Sequence, residues 1–254
     1  MIPNGAARVL ARPGIVVRAS LAAVALLAAL AAPAMAGDRA LIDVIGYSED
    51  ARYFAFEEFG IQDGSGFAYS SIYVIDLSTD SWVIGTPVRV QADDEQAPLS
   101  QIRAEVQLQA AEDIATLGID VPAEIAALVG DGAPGSDART LSFGSPGYNP
   151  GDVSGDYQLR LKSFATTAAA PCAEWFSVEP LGYELVIADK GVERLIHRDG
   201  DLPRSRGCPV NYRLYGVVLP YMAGSISDAV ALISVYPGGF EGPDRRFIAV
   251  PLGL

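Results

Sequence analysis

The sequence predicts a mainly β protein: antiparallel meanders with propeller-blade-like hairpins, packed as a sandwich or an incomplete ring, plus one inserted amphipathic helix. Three observations carry this. Apolar strands at 53–59 and 70–77 flank the turn-rich Gln62-Asp63-Gly64-Ser65-Gly66. The same outline returns near the C-terminus, where 229–236 and 246–252 flank a Pro/Gly/Asp segment of similar length. A third hairpin, 183–188 with 192–198, closes on Asp189-Lys190-Gly191, where glycine supplies the positive φ the turn needs.

Residues 1–36 read as a signal peptide rather than as part of the fold. Arg8, Arg12 and Arg18 give a positive start, 19–33 is a short apolar run, and Ala34-Met35-Ala36 is an A-x-A cleavage site. The apolar run is shorter than the roughly 18 residues a spanning helix needs, so no stable membrane insertion is expected after cleavage. Removing those three arginines, which no acid in the segment balances, moves the formal charge from −13 to −16. Such a surface repels phosphate backbones and anionic lipid, which excludes nucleic acid as a natural partner. Residues 37–254 are read as a single β-rich domain with a helical insert at about 98–130, long enough to bury a core of its own.

Residues 41–45 open the fold with a short strand, and Tyr47-Ser48-Glu49-Asp50 turns into the first hairpin. Within 53–59, Tyr53 and Ala55 lie on one face and Phe54 and Phe56 on the other. A strand apolar on both faces belongs in a sheet covered from two sides. A further strand is read over 81–90. From Ser100, as N-cap, to Leu117, the residues Ile102, Val106, Ala110, Ile114 and Leu117 recur at helical steps, and Gly118 ends the run. A second short helix is read over 122–129, with Pro122 in its first turn. Residues 130–155 form a long Gly/Pro/Ser/Asp-rich loop broken by a strand at 139–143, and strands follow at 156–164, 174–178 and 211–219.

Cys172 and Cys208 are the only cysteines, and in an exported chain an even pair reads as a structural disulfide. Their spacing is not that of a C-x-x-C redox motif. The single histidine, His197, rules out metal sites built on two or three histidines and leaves at most one imidazole base. Strict alternation puts it on the face of Glu193 and Leu195, as a strand-end residue with an ordinary hydrogen bond. Glu57 and Glu58 alternate to opposite faces, so they cannot serve one substrate as paired acid and base. Asp199-Gly200-Asp201, Asp63 and the stretch from Asp131 to Asp137 offer loop oxygens of the kind calcium uses, but none fits a calcium-loop spacing. No cofactor, metal ion or catalytic residue is therefore assigned.

Arginines concentrated in an acidic chain stand out at Arg204-Ser205-Arg206, beside Cys208 and close to Tyr212, and again at Arg245-Arg246. Guanidinium groups bind carboxylates in a planar, two-pronged way, so these residues are the candidate binding surface. The competing reading is that they pair with the protein's own carboxylates and pin loops.

The FAFEEFGIQDGSGFAYSSIYVIDL hairpin, the SRGCP-x-x-Y stretch at 205–212 and the closing GFEGPDRRFIAVPL resemble an uncharacterised family of predicted secreted proteins of Gram-negative bacteria. The resemblance implies an extracytoplasmic location and one shared fold, and no reaction. Separately, "IYVIDL" followed by a Ser/Thr-Asp turn resembles a single blade of TolB-like propeller repeats. Too few such copies exist for a full propeller. The function expected is an exported, periplasmic or secreted, non-catalytic module that binds an envelope protein or polymer. A hydrolase of an envelope polymer or small ester, and a structural envelope protein, are the alternatives.

Overall fold

The computed structural model describes residues 37–131, 137–239 and 242–253. The export segment read at 1–36 lies outside them, as do 132–136 of the acidic loop.

The described residues form three open antiparallel sheets. Sheet I holds β1 (Leu41–Ser48), β2 (Tyr53–Ile61), β3 (Ala68–Asp76), β4 (Ser81–Trp82), β5 (Val88–Gln91) and, after the long helix, β6 (Ile119–Val121). Sheet II holds β7 (Ala123–Leu128) and the late strands β12 (Pro209–Pro220), β13 (Val230–Pro237) and β14 (Arg246–Pro251). Sheet III is the meander β8 (Thr140–Pro146), β9 (Val153–Ala165), β10 (Leu181–Asp189) and β11 (Val192–Arg198).

Alternation along β13 explains how the sheets stack. Val230 and Leu232 pack with Phe54, Phe56 and Tyr69 of sheet I, whereas Ala231, Ile233 and Val235 pack with Leu159, Leu185 and Ile187 of sheet III. Sheet II is therefore the middle layer, apolar on both faces because both are covered. Tyr47 ties the first two layers, its hydroxyl donating to the Val218 carbonyl at 3.1 Å. The outer face of sheet I is covered by helix α1 (Leu99–Thr116), which buries Ile102, Val106 and Ala110 against Ala68, Ile72 and Ala92. The two-faced apolarity of 53–59 is thus accounted for: β2 lies between α1 and sheet II. The hairpins pack as a sandwich.

Several local expectations change. Ser100 lies inside α1, and the N-cap position is Pro98, without a side-chain cap bond. The strand read over 81–90 is two short pieces, β4 and β5, both paired to β3 and separated by residues 83–87, which include Gly85 and Pro87. A proline has no N–H for the ladder, and Gly85 takes a positive φ of 95°.

Residues 123–128, read as helix, are instead strand β7, with Glu124 opposite Leu219 and Leu128 opposite Gly216. The Ala-Glu-Ile-Ala-Ala-Leu run favours a helix locally, but the free edge of β12 offers it a full ladder. Gly216 admits this approach: a Cβ there would meet the Ala127 carbonyl oxygen at 2.8 Å. The segment read as a strand at 174–178 begins instead as the short helix α2 (Cys172–Phe176), ended by Ser177 at φ 54°. The turn between β10 and β11 has two residues rather than three, because Asp189 pairs with Val192. Lys190 and Gly191 both take positive φ, as the favoured two-residue hairpin turn requires.

The disulfide Cys172–Cys208 forms, with Cα atoms 5.4 Å apart, joining α2 to the start of β12.

Candidate functional site

The edges of all three sheets meet around one cleft of about 700 Å3. β2 and β3 supply Phe56, Glu58, Tyr69 and Tyr73 to one wall, and β4 and β5 add Trp82 and Arg89. Edge strand β14 gives Arg246 and Phe247, and the far wall is Tyr183, His197 and the turn at 203–207.

That turn is fixed from several sides. Leu202 is fully buried and donates its N–H to the Thr167 carbonyl at 2.9 Å, while Ala169 N–H returns the bond to Leu202 at 2.9 Å. Pro203 leads into a short 3-10 turn, Arg204–Arg206, and Cys208 follows in its disulfide. The two arginines are thus presented by a short, doubly anchored segment.

Asp199 organises this wall. Its Oδ2 accepts the Tyr183 N–H at 2.9 Å and lies 3.7 Å from an Arg206 nitrogen, and its Oδ1 meets His197 Nε2 at 2.9 Å. Burial alone would raise its pKa, but His197, Arg206 and the Tyr183 N–H outweigh that and hold it below the ordinary aspartate value. The His197 ring stacks on Tyr183 at 4.7 Å, with Nδ1 3.7 Å from Asp80. Burial would lower the histidine, but Asp199 and Asp80 together push it up to about 9.

His197 does not share a face with Leu195 and Glu193. A bulge places it opposite Leu185 while Leu195 stands opposite Val186, so Ile196 is the extra residue. The one-residue insertion turns the imidazole inward and leaves Leu195 exposed.

Glu57 and Glu58 do point to opposite faces of β2. Glu57 turns to α1, where Arg103 donates to both its oxygens at 2.9 and 2.8 Å and Ser70 and Gln107 donate at 2.7 and 3.1 Å. Every acceptor is occupied, so this is a structural anchor for the helix. Glu58 turns to the cleft, 3% exposed, with Oε2 accepting the Phe247 N–H at 2.8 Å and Oε1 3.8 Å from Arg246 Nε. Burial pushes its carboxyl up to about 7 despite Arg246, that N–H and Arg89.

Of the residues singled out in sequence, Arg204, Arg206 and Arg246 line the cleft. Arg246 is largely neutralised by Asp38 at 3.2 Å and Asp244 at 3.6 Å, and it donates to the Tyr69 hydroxyl at 3.0 Å. Arg245 turns the other way, buried, donating to the Ala40 carbonyl at 2.7 Å and pairing with Asp131. It pins the N-terminal segment. Tyr212 is fully buried behind Tyr183, ring to ring at 4.9 Å. Glu58, Arg89 and Trp82 join the cleft without having been singled out for it. The signals available were a carboxylate inside the apolar FAFEEFGI run and one cation alternating within Val-Arg-Val. Among the described residues no group of three or more His, Cys, Asp or Glu side chains is placed to hold a metal ion.

The fold and the cleft together define a class: a layered β-sandwich protein with an arginine- and tyrosine-lined cleft at its sheet edges. The family model described as "Predicted secreted protein (DUF2259)" matches residues 55–252, and the chain belongs to that family. No curated protein and no solved structure matches the chain. No helix among the described residues is long and apolar enough to cross a membrane.

Proposed function

We propose that this is an exported, non-catalytic binding module, whose signal peptide is cleaved after Ala36 and whose ligand or partner enters the three-sheet cleft. The observation that carries the reading is charge placement. In a chain whose acids outnumber its Lys and Arg by 31 to 18, Arg89, Arg204 and Arg206 line one cleft. Arg204 and Arg89 form no close ion pair among the described residues, and Arg89 acts on Glu58 and the Tyr73 hydroxyl beside it in the cleft. His197 supports the non-catalytic reading: with carboxylates at both ring nitrogens and a pKa of about 9, it is protonated at neutral pH and is no general base.

The test is crosslinking capture from the cell envelope with the native protein and with an Arg89→Ala/Arg204→Ala variant. A native-specific partner or polymer lost from the folded variant is expected. Equal capture by both removes the cleft from the function.

A hydrolase is the second reading, favoured by one feature, the buried Glu58 with its pKa near 7. It lacks a partner carboxylate from its own strand, since Glu57 is spent on Arg103 across the sheet. Turnover of envelope polymers by the native protein, abolished by Glu58→Gln, would favour it.

A further inference from the structure

Taking that binding reading as its basis, we infer that the cleft accepts an acidic saccharide: a hydroxyl-rich ring whose carboxylate is held by Arg89 and Arg204, with Trp82 as its stacking platform and Glu58 as a hydroxyl acceptor.

Charge comes first. The lining carries Arg89, Arg204, Arg206, Arg246 and His197 against Glu58 and Asp80. Arg246 is already matched by Asp38 and Asp244, and His197 by Asp199 and Asp80. The remainder is Arg204 and Arg89, neither in a close ion pair among the described residues although Arg89 acts on Glu58 and on the Tyr73 hydroxyl, and Arg206. One Arg206 nitrogen is buried without a hydrogen-bond partner among them, and its nearest carboxylate stands 3.7 Å away. Guanidinium groups left this way call for an oxyanion with two acceptor atoms. A carboxylate suits the site better than a phosphate, because Glu58 and Asp80 share the cleft and repel a second negative charge more strongly.

The walls then define what carries that carboxylate. Tyr73 lies flat on Phe56, centroids 4.9 Å apart and planes within 7°, and Trp82 meets Tyr73 edge-on at 5.5 Å. Trp82 is thereby held while remaining 46% exposed. An amphipathic ring fixed in this way offers an apolar face on which the C–H side of a sugar ring can lie. The same wall is rich in polar atoms. Glu58 Oε1 accepts no hydrogen bond among the described residues, and Ser71 and Tyr73 also line the space. A fatty-acid chain would leave these groups unsatisfied, whereas ring hydroxyls would satisfy them. The volume, about 700 Å3, is in the range of small-molecule sites.

The experiment is titration calorimetry of the purified, disulfide-intact protein with four probes: a uronic acid trisaccharide, the neutral hexose trisaccharide of the same linkage, inorganic phosphate, and a Glu-rich tripeptide. The uronic acid trisaccharide is expected to bind about tenfold or more tightly than its neutral counterpart. Arg89→Ala and Arg204→Ala, both surface changes, should each weaken it by about tenfold, and Trp82→Ala should weaken both sugars. Arg160→Ala, on the exposed side of sheet III, is the control that leaves binding unchanged. Equal affinity for the neutral sugar, or tighter binding of phosphate or of the tripeptide, overturns the ligand class. If those ligands are still lost in the Arg89 and Arg204 variants, the cleft reading survives. No binding by any of the four overturns the inference, while the capture experiment judges the cleft independently.

Discussion

Glu57 and Glu58 are consecutive on β2 and both buried, yet their carboxyls are driven in opposite directions. Glu57 meets Arg103, Ser70 and Gln107 beneath α1, and these donors outweigh its burial and hold its pKa below the ordinary glutamate value. Glu58, on the other face, receives one backbone N–H and a guanidinium 3.8 Å away, and burial wins. Alternation of a single strand thus separates a structural anion from a titrating one.

Arg103→Ala is expected to lower stability by about 3 kcal/mol or more, because it strands a carboxylate that is 1% exposed. It also removes the guanidinium stacked 3.8 Å from the Phe59 ring and the second bond to Asp43. Glu57→Gln should cost less, since the amide keeps an acceptor for Arg103 and removes the charge that needs it. Urea unfolding of the two variants gives the order directly, and a smaller loss for Arg103→Ala than for Glu57→Gln would contradict it.

Stability should fall as pH rises from about 5 to 9. Glu58 goes from 4.5 when unfolded to about 7 when folded, so the native state holds its proton more tightly. That contribution is complete below the unfolded value and lost as pH passes through the folded one. His197, raised from 6.5 to about 9, acts in the same direction over a higher window. Glu58 alone accounts for a difference of order 2 kcal/mol between about pH 5 and 8. Thermal melts across that range should show the slope, and Glu58→Gln should flatten its lower part; an unchanged slope assigns it elsewhere.

What was legible in the sequence was whatever a short window determines. The two-faced apolarity of 53–59 signalled a covered strand, the spacing of Ile102, Val106 and Ala110 signalled α1, and two cysteines in an exported chain signalled the disulfide. The errors lie where a distant partner overrides local preference. Ala123–Leu128 becomes a strand because β12 has a free edge, and His197 turns inward because β11 carries a bulge. Arg204 and Arg206 were visible as cations, but their meeting with Arg89, Trp82 and Glu58 depends on which sheet edges adjoin. No periodicity encodes that.

His197 is the chain's only histidine, so its titration can be followed by NMR without ambiguity. In the native protein it should titrate near pH 9. Asp199→Asn removes the carboxylate 2.9 Å from Nε2 and should bring the midpoint back towards 6.5 or below, since burial then acts with less opposition. Asp80→Asn, whose oxygen lies 3.7 Å from Nδ1, should move it less. A native midpoint near 6.5 would show that the two carboxylates do not hold the imidazolium.

Removing the disulfide should damage the cleft as well as the fold. Cys172 and Cys208 are 36 residues apart, and closing a loop of that length contributes about 3–4 kcal/mol in the chain-entropy account. The Cys172→Ser/Cys208→Ser variant should therefore melt several degrees lower. The bond also holds the far end of the segment bearing Arg204 and Arg206, whose near end is fixed by Asp199 and Leu202. Freed at one end, that segment keeps the bonds of Leu202 to Thr167 and Ala169 but loses the constraint just beyond Gly207. Hydrogen exchange should accordingly rise first over 203–208, while the buried ladder between β12 and β13 stays protected. Uniform loss of protection across all three sheets would mean that the disulfide supports the whole fold and has no special hold on the cleft wall.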